Sequence, residues 1–89
     1  MYQVEWARSA TSALTNFWLT AQSAERRRIN DAVVQIDSLL TANPQEQGES
    51  RAADQRILLV PPLAAIFKVL EQERRVKVLR VLRFRPHAQ

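Results

Sequence analysis

Apolar and polar residues alternate at the start of the chain, with Tyr2, Val4 and Trp6 set against Gln3 and Glu5. This is the period-2 pattern of a half-buried strand. The period then changes. Leu14, Phe17, Trp18 and Ala21 recur at i, i+3, i+4 and i+7, which predicts an amphipathic helix with Ser9 as its N-cap. Ser23 is a second candidate cap, with Glu25 in the first turn where the helix dipole favours an anion. Ile29, Ala32, Val33, Ile36, Leu39 and Leu40 carry helical spacing on to Ala42. A turn this short makes the two helices an antiparallel hairpin.

Asn43-Pro44 stops the second helix, because the residue before a proline is driven out of the α region. The polar stretch from Pro44 to Asp54 holds the only glycine and reads as a loop. Three strands follow: Arg56 to Val60, Leu63 to Leu70 beyond the Pro61-Pro62 break, and Arg75 to Phe84 beyond a polar turn. Connections this short make these strands antiparallel neighbours. The predicted order is β-α-α-β-β-β, an α+β class in which the helical hairpin packs on one face of a small, mainly antiparallel sheet. Residues 1–89 form a single domain, since a chain of this length has room for one two-layer core.

The last strand sharpens this picture. Strict alternation sets Val76, Val78, Leu82 and Phe84 under the helices and turns Lys77, Leu79, Val81, Arg83 and Arg85 to the open face. Arg80 breaks the pattern. Either it snorkels to the rim, or the strand bulges near it.

Charge then distinguishes the halves. Residues 1–50 carry four Arg against six acids, 4 − 6 = −2, whereas residues 51–89 carry nine Lys and Arg against three acids, 9 − 3 = +6. A basic C-terminal half suits an anionic partner, either nucleic acid or an acidic protein segment; surface solubility is the plainer explanation. The Arg26-Arg27-Arg28 run reads as a solvated helix face. With no cysteine, a disulfide framework, a thiol nucleophile and a zinc knuckle are excluded, which fits a cytoplasmic protein. No apolar run approaches the roughly 20 residues of a membrane span, and the N-terminus lacks the pattern of a secretory signal. Neither cofactor nor metal is expected, and no exposed apolar stripe demands a homodimer.

Beyond pattern, the order of elements and several phrases resemble the RelE/ParE superfamily of bacterial type II toxin–antitoxin toxins, which includes plasmid stabilisation proteins. The phrases are Ile36-Asp37-Ser38-Leu39, Asn43-Pro44 with Gly48-Glu49-Ser50-Arg51, and Arg56 to Leu63, then Ile66-Phe67-Lys68-Val69 and Val76 to Val81. The resemblance implies a small toxin neutralised by a cognate antitoxin. ParE-like members inhibit DNA gyrase by binding it. RelE-like members are endoribonucleases that cleave messenger RNA on the ribosome, where basic residues neutralise the phosphate and a side chain of the last strand donates a proton.

Carried over residue by residue, the nuclease set is incomplete. Arg83, Arg85 and His87 are the candidate catalytic residues, but Arg85 stands where a proton donor belongs, and arginine holds its proton too tightly to give it up near neutrality. His87 lies beyond Pro86. Leu63 occupies the place of the phosphate-clamping arginine, Phe67 and Phe84 lack the hydroxyl of a tyrosine, and Glu46 and Glu49 lie near the general-base position of some relatives. Arg51, Arg56, Lys77, Arg83 and Arg85 are the candidate contacts to nucleic acid or target. The expectation is therefore a ParE-like inhibitor, with a RelE-like messenger RNA endoribonuclease and an inactive antitoxin-binding homologue as alternatives.

Overall fold

A computed structural model describes residues 1–51 and 53–84. The chain runs β1 (Gln3–Trp6), α1 (Arg8–Leu19), α2 (Ser23–Ala42), a short 3-10 turn, β2 (Glu49–Ser50), β3 (Gln55–Val60), β4 (Leu63–Leu70), a second 3-10 turn and β5 (Arg75–Arg83). The five strands form one sheet in the order β1-β5-β4-β3-β2. β1 pairs parallel to β5, and every other pairing is antiparallel. The expected α+β architecture is present, extended by the two-residue strand β2 inside what the sequence suggested was pure loop. Gly48 makes that strand possible. It sits at φ +70°, and a Cβ there would lie 2.3 Å from the Ile57 carbonyl oxygen, so only glycine lets the two chains approach.

Both helices cover one face of the sheet. Ile29, Ala32, Ile36 and Leu40 of α2 are buried against Leu58, Val60, Leu63, Ala65, Phe67, Val76, Val78 and Val81. α1 lies close along β5: only Ala10 is fully buried in that helix, while Leu14 and Phe17 pack on the core from its edge. The two expected serine caps shift. Ala7 and Gln22 occupy the N-cap positions, with no side-chain cap bond at either. Ser9 instead sends its hydroxyl to the Leu79 carbonyl at 2.7 Å.

Leu79 matters because the β4–β5 ladder slips beside it. Phe67 pairs with Val78, and Ile66 pairs with Arg80, so Leu79 is the extra residue of a β-bulge. Of the two explanations offered for Arg80, the bulge is the correct one. It reverses the inside–outside parity of everything after it. Val81 is therefore buried, Leu82 is 38% exposed, and Phe84 sits half-buried just past the strand. The assignments of Leu82 and Phe84 to the core, and of Val81 and Arg83 to the open face, are thus overturned by one inserted residue.

Candidate functional site

The open face of the sheet is organised in rows, because paired residues on neighbouring strands point the same way. The first row reads Glu5, Lys77, Lys68, Gln55 across β1, β5, β4 and β3. The second reads Arg80, Ile66, Ile57, Glu49, and the third Leu82, Ala64, Leu59. One end of the face is cationic and the other aliphatic. Next to the first row, Arg75 reaches the Glu5 carboxylate at 2.5 Å and Glu73 at 3.0 Å. Its hydrogen bond and charge attraction to Glu5 hold the Arg75 pKa above the ordinary guanidinium value. Lys68, Lys77 and Arg80 make no ion pair among the described residues. Arg51 lines a polar cleft of about 390 Å³ together with Lys68, Asp54 and Gln55.

The other candidate residues divide differently from the sequence expectation. Arg83 lies on the helix side of the sheet, where it pairs with Glu25 in the first turn of α2 and stands 5.9 Å from the centre of the Phe17 ring. Arg56 also points to the helix side, opposite Phe67. Its guanidinium donates to the carbonyls of Gln47 at 2.9 Å and Gly48 at 3.1 Å and to the Ser50 hydroxyl at 3.1 Å. The geometry makes Arg56 a clamp on the β2 loop. Lys77 alone of the expected contacts on β3 and β5 keeps its place on the open face. Arg85 and His87 lie outside the described residues. Glu46 is exposed in the 3-10 turn, and Glu49 stands at the edge of the open face beside Ile57. Tyr2, the only tyrosine, is tied up elsewhere: its hydroxyl donates to Glu71 at 2.8 Å and accepts from Gln45. No acid–base pair faces the sheet centre among the described residues, nor does any cluster there have the make-up of a metal site.

A second surface was not foreseen. Between α1 and α2 runs an apolar groove of about 580 Å³, lined by Leu14, Thr15, Trp18, Ile29, Asn30, Val33 and Val34. Trp18 is 37% and Val34 67% exposed. Arg26 lies over the Trp18 ring at 4.1 Å and donates to the Trp18 carbonyl at 2.8 Å, pinning the indole at one end of the groove. The available signal was Val34 beside Val33, which widens the apolar stripe of α2 past what one core contact needs. None of the described helices is long and apolar enough to cross a membrane.

A helical hairpin laid on one face of this five-stranded mixed sheet, with the opposite face bare, is the fold of the ParE and RelE toxins of type II toxin–antitoxin systems. A chain of the chromosomal ParDE toxin–antitoxin system from P. aeruginosa matches it with TM-score 0.76 and 22% identity, over 96% of this chain and 98% of that one. A chain of the RelBE2 complex from Mycobacterium tuberculosis matches with TM-score 0.70 and 20% identity, over 92% and 96%. For the archaeal RelE–RelB complex from Pyrococcus horikoshii the values are 0.62 and 18%, over 98% of both chains. By sequence, no family model and no curated protein matches.

Proposed function

We propose that this chain is the toxin component of a type II toxin–antitoxin system, that it acts by binding its target rather than by cleaving it, and that a cognate antitoxin neutralises it. DNA gyrase is the target that the resemblance to ParE puts first. The observation that carries this reading is the composition of the open face. Phosphodiester cleavage needs cations around the scissile phosphate and a group that can give up a proton. Across the middle of this face Ile66 and Ile57 hold Arg80 and Glu49 apart at opposite ends of their row, and the far row carries only Leu59, Ala64 and Leu82. Two of the arginines that could neutralise a phosphate, Arg56 and Arg83, are turned to the helix side and engaged there. Aliphatic rows suit a protein surface.

The groove between α1 and α2 is the place for the antitoxin. An amphipathic helix laid there would bury Leu14, Trp18, Val33 and Val34 in the helix-in-groove mode. The test expresses the chain with and without its neighbouring gene product. It then measures gyrase supercoiling and, separately, message integrity on translating ribosomes. Loss of supercoiling with intact messages is expected, with rescue by the antitoxin. Message cleavage on the ribosome would replace this reading with the RelE-like one, and normal growth in both states would leave an inactive antitoxin-binding homologue.

A further inference from the structure

Residues directly opposite each other on antiparallel strands hold their Cβ atoms about 5 Å apart, and like charges so placed repel. Lys68 and Lys77 are such a pair. The carboxylate in register with Lys77 is Glu5, but Arg75 draws it away at 2.5 Å. On its other flank Lys68 meets neutral Gln55. Arg80 is the next outward residue of β5 beyond the bulge, and Arg51 shares the cleft beside Lys68. Four cations thus gather at one end of the face, with Asp54 in the cleft that Arg51 and Lys68 share. Among the described residues no carboxylate pairs with Lys68, Lys77 or Arg80.

The other end decides what kind of anion fits. Leu59 is 56% and Leu82 38% exposed, and small, buried Ala64 lies between them in the same row. A track for single-stranded nucleic acid would continue the cations along the phosphates and interleave aromatic rings for the bases. Within the strands Trp6 and Phe67 turn to the helices, and Phe84, just past β5, brings a single ring to the aliphatic end, which is no series interleaved with the cations. Cations merging into aliphatic rows complement carboxylates merging into aliphatic side chains.

We infer that the open sheet face is a docking strip for an acidic amphipathic protein segment, with carboxylates at Lys68, Lys77 and Arg80 and apolar side chains on Ile66, Leu59 and Leu82. The inference rests on the binding-inhibitor reading and gives that inhibitor its contact surface. Alternate residues of a strand are roughly 6.7 Å apart. A helix rising 1.5 Å per residue along β5 therefore meets successive rows about every four residues. Its signature is an acidic residue at i with apolar residues at i+4 and i+8.

The probe is a labelled helical peptide about 16 residues long carrying that pattern, titrated against the full chain. The same peptide with Gln for every Glu and a single-stranded RNA of similar length serve as comparators. The acidic peptide is expected to bind, to weaken roughly tenfold on Gln replacement or with Lys68→Glu plus Lys77→Glu, and to weaken similarly with Leu59→Ser plus Leu82→Ser. Lys77→Gln on its own should raise the melting temperature of the free chain, because it removes the like charge opposite Lys68 without setting a second carboxylate beside Glu5, while removing a peptide contact. Opposite signs in stability and binding separate a lost site from a lost fold. Failure of the acidic peptide to bind, indifference to Lys77→Gln, or tighter RNA binding in competition with the peptide would overturn the strip. Supercoiling inhibition keeps this outcome apart from the parent reading. Inhibition unchanged by Lys77→Gln removes the strip alone, whereas peptide binding on the strip by a chain that leaves supercoiling untouched removes the binding-inhibitor reading.

Discussion

Arg83 sits between a carboxylate and a ring. Its guanidinium pairs with Glu25 and borders Phe17, so it ties the end of β5 to the helical hairpin. Both side chains are about a quarter exposed, which leaves the pair partly screened and worth about 1 kcal/mol. Arg83→Ala is expected to lower the unfolding free energy by that amount. A double-mutant cycle with Glu25→Gln should show coupling of about 0.5–1 kcal/mol in denaturant unfolding; an arginine serving only a target would show none. Gly48 is the least replaceable position. Gly48→Ala combines a positive φ with a clash against the Ile57 carbonyl and should cost about 2–3 kcal/mol, read as a lower melting temperature. Arg75 behaves oppositely. Its pKa is raised by Glu5, so the associated stabilisation is complete below the unfolded-state value and fades only as pH climbs through the folded-state one. The melting difference between wild type and Arg75→Gln should therefore be the same at about pH 6 and about pH 9.

The element that most reshaped the molecule is the bulge in β5. Period-2 reasoning assigned Val76 and Val78 correctly because they precede Leu79, and failed for Leu82 and Arg83 because they follow it. Arg80 was a visible sign that the alternation breaks. Only the pairing of Ile66 with Arg80 shows that the strand gains a residue there, and pairing partners far apart in sequence leave no local trace. The serine caps failed for a related reason. Ser9 answers to the carbonyl of Leu79, the residue the register skips, rather than to its own helix. Ser9→Ala should cost about 0.5–1.5 kcal/mol in the wild-type chain. Deleting Leu79 would make Val78 and Arg80 consecutive, as their partners Phe67 and Ile66 already are. In that background Ser9→Ala should be close to neutral, and thermal unfolding of the four variants checks both.

At the scale of the whole molecule, the hairpin-on-sheet architecture was legible because it follows from period changes and short connections. The basic half was equally legible as a sum of charges. Its distribution over two faces was not, since it depends on where the loop carbonyls and α2 meet the sheet. Arg56 was an expected contact residue and is spent on the carbonyls of Gln47 and Gly48. The groove was not legible because Leu14 and Trp18 read as core from their spacing, while in the fold they face the gap between the two helices. Val34 is 67% exposed, so Val34→Asp should change stability by less than about 0.5 kcal/mol. It is nevertheless expected to weaken antitoxin binding at least tenfold in a titration, leaving target inhibition intact.

The two tryptophans of the chain stand in different surroundings. Trp6 packs on the core and donates its indole N–H to Asp37 of α2 at 3.2 Å, so its emission reports whether sheet and helix remain joined. Trp18 lies in the groove under Arg26, so its emission reports whether the groove is occupied. With Trp6→Phe the remaining signal should become accessible to a soluble quencher in the free chain and shielded when an antitoxin segment arrives. Occupancy of one surface could then be followed by light while the other is left untouched.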